Sequence, residues 1–114
     1  MNQITLIGRL TADPAKRSPR DDLTVTEFGL AVNTRFGKGK ERVDFFECVA
    51  WSGLAAVIAD RTTKGTRLAV SGRVQHDRWQ AEDGSRRSKH VVVVESIEFL
   101  DGRPSPQATA DEAA

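Results

Sequence analysis

Alternation of apolar with polar residues along several short segments is the feature that most limits the fold of this chain. Ile4, Leu6 and Leu10 fall on one face of a first predicted strand. Phe28 and Leu30 share one face of a second predicted strand in the same way. A period of two is typical of strands that bury one face, so we expect a structure built on β-sheet.

The remaining segments complete an all-β pattern that contains one helix. Leu54 and Ile58 have helical spacing, and Ser52 before them is the predicted N-cap. Residues 15–22 are charged and include a proline, so they are predicted to form a loop. Alternation and valine-rich runs predict three further strands: residues 43–51, 67–79 and 91–100. This order predicts an OB-fold, a five-stranded Greek-key barrel with one helix between strands 3 and 4.

The third predicted strand has two unlike faces. Phe46 and Cys48 belong to an uncharged set that we assign to the core, with a subunit contact as the alternative for Phe46. Phe45 and Trp51 then point outward, with Glu47 between them on the same face. Aromatic residues in small β-proteins are more often core, but exposed rings beside a charge are typical of a binding surface.

Two basic segments accompany further aromatic residues. Residues 35–42 surround Phe36 with four basic side chains and two glycines, which indicates either a flexible basic finger or a solvated hairpin turn. Arg86 and Arg87 lie on a predicted hairpin near Trp79. Aromatic rings among basic side chains are what a surface for unpaired bases requires, because rings stack on bases and cations attract phosphates.

Composition excludes several classes of protein. The chain has 17 basic and 16 acidic residues, a net charge of +1, so any basic surface must come from local clustering. Cys48 is the single cysteine, which excludes an internal disulfide. No hydrophobic run approaches a membrane span and no signal peptide is recognisable, so we expect a cytoplasmic protein.

The sequence offers little for catalysis. His76 and His90 are not accompanied by a cysteine cluster, and His76 follows the core phase of its strand. The paired acids lie in predicted loops, and no phosphate loop or nucleophile motif is present. We therefore expect no catalytic residue, no metal site and no cofactor.

Several motifs together are similar to those of a known family. They are Ile4-Thr5-Leu6-Ile7-Gly8-Arg9-Leu10, Phe45-Phe46-Glu47-Cys48-Val49-Ala50-Trp51, Lys64-Gly65, Val70-Ser71-Gly72-Arg73-Val74 and Arg78-Trp79. Over residues 2–103 the chain resembles the bacterial single-stranded DNA-binding protein family, SSB. The resemblance implies a homotetramer that binds single-stranded DNA in replication, recombination and repair, without chemistry on the strand. It also implies that four rings stack on bases: Phe36, Phe45, Trp51 and Trp79.

The hypothesis that follows assigns phosphate contacts to nine basic side chains: Arg9, Arg35, Lys38, Lys40, Lys64, Arg73, Arg78, Arg86 and Arg87. Two alternatives stay open. One is a protein-interaction OB module of a primosome-type or other assembly, and the other is an RNA-binding OB protein, because stacking does not distinguish the sugar.

Two departures from the family pattern affect these expectations. Glu47 places an acid between two predicted stacking rings, so we expect somewhat weaker binding. We predict a folded domain over residues 1–103 and a short disordered tail over residues 104–114. Family members usually end in several aspartates and Ile-Pro-Phe, but here two acids and two alanines end the sequence. This weakens the expectation that replication and repair proteins are recruited through such a tip, and it indicates a short paralogue or a removed tail.

Overall fold

The computed structural model describes residues 1–101. Within this range, six strands and one helix follow one another: β1 (Ile4–Leu10), β2 (Ala15–Arg20), β3 (Leu23–Arg35), β4 (Glu41–Trp51), α1 (Ser52–Arg61), β5 (Arg67–Gln80) and β6 (Arg86–Phe99). The predicted domain end at residue 103 and the predicted tail lie outside the described residues. Within residues 1–101, helix length and hydropathy nowhere reach what a membrane span requires.

Five of the strands close into a barrel. The sheet order is β1-β5-β6-β4-β3-β2, and β1 also pairs with β3 through Arg9 opposite Ala31 and Leu10 opposite Leu30. β4 and β6 run parallel, so the chain must cross over between them, and α1 with β5 provides the connection. The helix follows the third barrel strand, which confirms the predicted all-β OB-fold.

Strand β2 stands where the sequence predicts a loop, and that prediction was wrong. All six residues of β2 are exposed and Pro19 lies among them, so no hydrophobic period marks the segment. β1 pairs with β3 only at Leu30 and Ala31, so the part of β3 that precedes Leu30 has no β1 partner on that edge. β2 pairs there, with Arg17 opposite Val25. An outermost strand tolerates proline because one of its edges needs no partner.

The barrel interior is filled by the faces that alternation assigns to the core. Leu30, Leu68 and Val70 are completely buried, and each such side chain stabilises the fold by about 1.5–3 kcal/mol. Cys48 is buried among them, and Phe46 packs against the same cluster from a half-buried position. The inward face of β4 is therefore the one that the sequence predicts.

Helix α1 begins directly at the end of β4. It buries Ala55 and Ile58, and Thr26 Oγ1 of β3 donates a hydrogen bond to the Ala55 carbonyl oxygen at 2.8 Å. The predicted N-cap was wrong, because α1 already includes Ser52 as its first residue, with a left-handed φ of 59°, and Trp51 precedes the helix without a side-chain cap. The absence of a linker here places Trp51 at the corner between strand and helix.

The far part of the β5–β6 hairpin has no buried side chain on β5 after Gly72. His76 lies opposite His90 across the two strands, and their rings stack with centroids 4.5 Å apart. Both histidines are exposed, so the interpretation of His76 as a core-phase residue was wrong. The alternation of β5 continues beyond Gly72, where the strand no longer packs against the core.

Candidate nucleic-acid interface

The four predicted stacking rings are all exposed, as their positions in the sequence indicate. Phe45 is 72% exposed and Phe36 is 50% exposed. Trp79 is 46% exposed and Trp51 is 45% exposed. Side chains of this size are ordinarily buried, and four exposed ones on a small barrel need another explanation than packing.

A groove crosses the outer face of the sheet formed by β3, β4, β6 and β5. Its volume is about 460 Å³, and Trp51 contributes to its wall. Val49, Val91 and Val93 form an apolar floor. Val91 and Val93 are buried here, whereas Val92 packs into the barrel core. The consecutive valines of β6 therefore serve two surfaces, the core and the groove.

Lys89 of β6 connects the outward face of β4 with Trp79. Its Nζ lies 3.0 Å from Glu47 Oε2 and 5.9 Å from the centroid of the Trp79 ring, which is within cation–π range. The pKa of Lys89 is raised, first by its hydrogen bond to Glu47 and next by the charge of that carboxylate. Phe45 precedes Glu47 by two residues on the same face, so the ion pair lies between predicted stacking rings.

A second ion pair lies in the groove where β2 joins the sheet. Arg17 Nε is 3.2 Å from Glu27 Oε1, and both side chains line the groove. Nearby, the Lys64 backbone N–H donates to Asp13 Oδ1 at 2.8 Å, which brings the loop after α1 to the groove rim. Among residues 1–101, four carboxylates and two basic side chains line the groove: Asp13, Glu27, Glu47, Asp77, Arg17 and Lys89.

Three of the predicted phosphate-contacting residues surround Trp79 on the β5–β6 hairpin: Arg78, Arg86 and Arg87. Arg87 lies directly opposite Trp79, and its Nη2 is 3.8 Å from Asp83 Oδ2. Asp83 accepts hydrogen bonds from the Ser85 hydroxyl and backbone N–H, and these lower the pKa of Asp83. The turn that presents the arginines is therefore stabilised by an ionised aspartate.

Three more of these residues accompany Phe36 around the β3–β4 loop: Arg35, Lys38 and Lys40. Gly37 and Gly39 have φ of 73° and 65°, a conformation that other residues rarely adopt. The Phe36 N–H donates to the Lys40 carbonyl oxygen at 3.1 Å and closes the loop. Within residues 1–101, none of the three basic side chains forms an ion pair.

Arg9 and Arg73 have other partners. Arg9 Nη1 donates to the Gly65 carbonyl oxygen at 2.9 Å and lies 3.4 Å from Asp101 Oδ1, so it ties β1 to the chain after α1 and after β6. Arg73 Nη1 is 3.3 Å from Glu95 Oε2. Neither side chain lines the groove. Arg9 is opposite Ala31, and Ala31 is opposite Phe45, so Arg9 lies two strands from that ring.

The groove contains two basic residues that the predicted phosphate contacts leave out, Lys89 and Arg17. For Lys89 a signal is present in the sequence, since it stands in period two with Val91 and therefore shares that outward face. For Arg17 no such signal exists, because β2 has no apolar alternation.

The two stacked histidines are the pair that the sequence offers as potential metal ligands. Among residues 1–101, three potential metal ligands nowhere come together. Arg78 Nε donates to His76 Nδ1 at 3.3 Å, which places a guanidinium beside the pair, and a metal cation would be repelled there.

Comparison with known proteins agrees with the motifs and the barrel. The model of the Single-strand binding protein family matches residues 1–100. A single-stranded DNA-binding protein of Clostridium perfringens is 45% identical over 102 residues, which cover 89% of this chain and 67% of that protein. A protein of the same name from Clostridium tetani is 43% identical over 103 residues, covering 89% and 71%. Single-stranded DNA-binding protein 3 of Listeria innocua is 39% identical over 105 residues, covering 90% and 66%. The chain therefore belongs to the single-strand binding protein family.

Proposed function

We propose that this protein binds single-stranded DNA without a defined target sequence and protects it during replication, recombination and repair. The observation that carries the proposal is the exposure of four aromatic rings on a small barrel. Each stacked base contributes about 1–3 kcal/mol, and every base has a face that can stack. Membership of the single-strand binding protein family supports the same function.

The proposed path separates bases from phosphates. Trp51 would stack a base in the groove, Phe45 and Trp79 would stack bases beside it, and Phe36 would stack a further base at the β3–β4 loop. The phosphates of the strand would contact basic side chains outside the groove: Arg35, Lys38, Lys40, Lys64, Arg78, Arg86 and Arg87. Among all the proposed phosphate contacts, Arg9, Arg73 and Arg87 must each exchange an existing carboxylate partner for phosphate and so contribute less.

We also propose that the protein assembles as a cytoplasmic homotetramer around its DNA. The resemblance to the family supports this assembly, and Ile7 of β1, an exposed large apolar side chain on the barrel surface, is compatible with a subunit contact. Replication and repair proteins are the proposed further partners. Light scattering after size-exclusion chromatography measures the mass of the assembly directly, and a monomer at all concentrations would contradict it.

A tryptophan-fluorescence titration tests the proposed function. The chain has two tryptophans, and both Trp51 and Trp79 are proposed to stack. Oligo(dT), duplex DNA and poly(U) are titrated at low and moderate salt. We expect quenching by oligo(dT) but not by duplex, and weaker binding at higher salt because phosphate contacts release counterions. In Trp79→Phe, Trp51 is left as the reporter while a ring is kept at residue 79, so quenching should persist.

The possible outcomes separate the alternatives. Absence of both quenching and binding with every polymer would contradict the proposal and favour a protein-interaction module of a primosome-type assembly. Tighter binding to poly(U) than to oligo(dT) at the same salt would instead identify an RNA-binding protein. Binding that is insensitive to salt would contradict the proposed role of the basic side chains.

A further inference from the structure

The groove carries a net negative charge, whereas a phosphate-binding site requires a positive one. Four carboxylates and two basic side chains line it, so its formal charge is negative by two. Both basic side chains, Lys89 and Arg17, are already paired with carboxylates of the groove, at 3.0 Å and 3.2 Å. Phosphates are therefore repelled from the groove, and a strand stacked on Trp51 and on the rings beside the groove must direct base edges toward it.

The groove carboxylates offer hydrogen-bond acceptors that the protein leaves unused. Lys89 Nζ lies 3.0 Å from Oε2 of Glu47, and one ammonium group does not fill the roughly four acceptor positions of that carboxylate. Arg17 likewise contacts only Oε1 of Glu27. Asp77 uses Oδ1 to accept from Gln75 Nε2 at 2.8 Å. A carboxylate has about four acceptor positions, so each of these groups can accept further hydrogen bonds.

Glu47 is the carboxylate best placed to meet a base. It lies on the outward face of β4 between Phe45 and Trp51, and 66% of its side chain is exposed. The edge of a base stacked on either ring would extend from the ring toward the neighbouring positions of the same face. A carboxylate accepts from amino groups of base edges, with cytosine N4 as the usual partner.

We propose that Glu47 accepts a hydrogen bond from exocyclic amino groups of the stacked bases, so that the groove ranks cytosine above uracil and thymine. This inference rests on the proposed binding of single-stranded DNA. Cytosine presents an amino group at its edge, whereas uracil presents a single N–H between two carbonyl oxygens. Those oxygens repel a carboxylate. The protein thereby prefers cytosine at this groove, although it binds single-stranded DNA without a defined target sequence.

Two oligonucleotides that differ only in the pairing edge of their bases test the inference. Oligo(dC) and oligo(dU) of roughly 12 nucleotides, within the span of one OB barrel, share the same sugar and lack the thymine methyl group. Affinities are measured by fluorescence titration at mildly alkaline pH, where cytosine is unprotonated and oligo(dC) does not pair with itself. The readout is the ratio of the two affinities in the natural protein and in Glu47→Gln.

We expect Glu47→Gln to lower the preference for oligo(dC) over oligo(dU) about fivefold, the lower range for a base-edge contact. Affinity for oligo(dU) should rise, because a negative charge is removed from the groove, whereas oligo(dC) should gain less because it also loses its contact with Glu47. Glu98→Gln is the matched control. It removes the same charge from an exposed residue of β6 that does not line the groove, so it should leave the ratio unchanged.

The outcomes distinguish this inference from the function on which it rests. If both oligonucleotides bind and Glu47→Gln leaves their ratio as it was, the role of Glu47 is refuted while single-strand binding stands. If Glu98→Gln changes the ratio as much as Glu47→Gln does, the effect is one of net charge, and the proposed contact is again refuted. If neither oligonucleotide binds, the proposed function itself fails.

Discussion

At the scale of single residues, two neighbouring phenylalanines of β4 have different surroundings because a strand alternates its faces. Phe45 is largely exposed, and Phe46 packs against the core cluster. The two side chains are chemically identical, and the same substitution at each position separates binding from stability.

Phe45→Ala is expected to weaken binding of single-stranded DNA by about 1–3 kcal/mol, because one stacking ring is lost, while the free energy of unfolding changes little. Phe46→Ala is expected to destabilise the protein by about 2 kcal/mol, below the range for a fully buried phenylalanine because the ring is only half-buried. Fluorescence titration and urea unfolding measure the two effects. A loss of stability in Phe45→Ala equal to that in Phe46→Ala would show that the exposed ring is structural.

At the scale of elements, closure of the barrel depends on a close approach of β1 to β3. Gly8 of β1 is buried next to the pairing of Arg9 with Ala31. A Cβ atom at Gly8 would collide with the Ala31 carbonyl oxygen and come within 3.0 Å of Leu30 Cγ. Strand β1 can approach β3 this closely because residue 8 has no side chain.

Gly8→Ala is therefore expected to lower the free energy of unfolding by about 1–3 kcal/mol, since backbone must move to relieve the overlap. Gly53→Ala is its control, because a Cβ at Gly53 in α1 meets no atom within 4 Å. That change should stabilise the protein by up to about 1 kcal/mol through helix propensity. Urea unfolding midpoints give both values. Equal effects of the two substitutions would contradict the role of Gly8 in closure.

At the scale of the whole molecule, the buried thiol of Cys48 couples global stability to alkaline pH. Burial raises the pKa of Cys48 from 9.0 to about 12. The folded protein therefore keeps a proton that the unfolded chain releases above pH 9.0. Stability from this group is complete below pH 9.0 and is lost as the pH rises toward 12.

Between pH 9.0 and about 12, we expect ionisation of Cys48 in the unfolded chain to lower the free energy of unfolding by about 1.4 kcal/mol per pH unit. Cys48→Ala removes the titrating thiol, so the difference between the natural protein and the variant isolates the effect. Chemical unfolding between pH 8 and pH 11 measures it, roughly spanning the lower part of the interval. Parallel curves for the two proteins would show that the thiol ionises equally in the folded and unfolded states.

Local sequence patterns predict which face each strand residue occupies. Period two places Phe45 and Trp51 outside and Cys48 inside, and the structure agrees at all three positions. The pattern is reliable here because the pleat of a strand sets side-chain direction without reference to the rest of the fold. It was wrong for His76, where β5 has no buried side chain beyond Gly72 and alternation no longer indicates burial.

By itself, then, the sequence determined the strands of the barrel, the helix among them, the outward rings and the family. Only the tertiary structure decided which distant side chains meet. The contact of Lys89 with Glu47 depends on the parallel pairing of β4 with β6. Strand β2, with Arg17, depends on an edge of β3 that β1 leaves unpaired. The physical reason is that alternation is a local property of the backbone, whereas neighbours across strands are set by closure of the whole barrel.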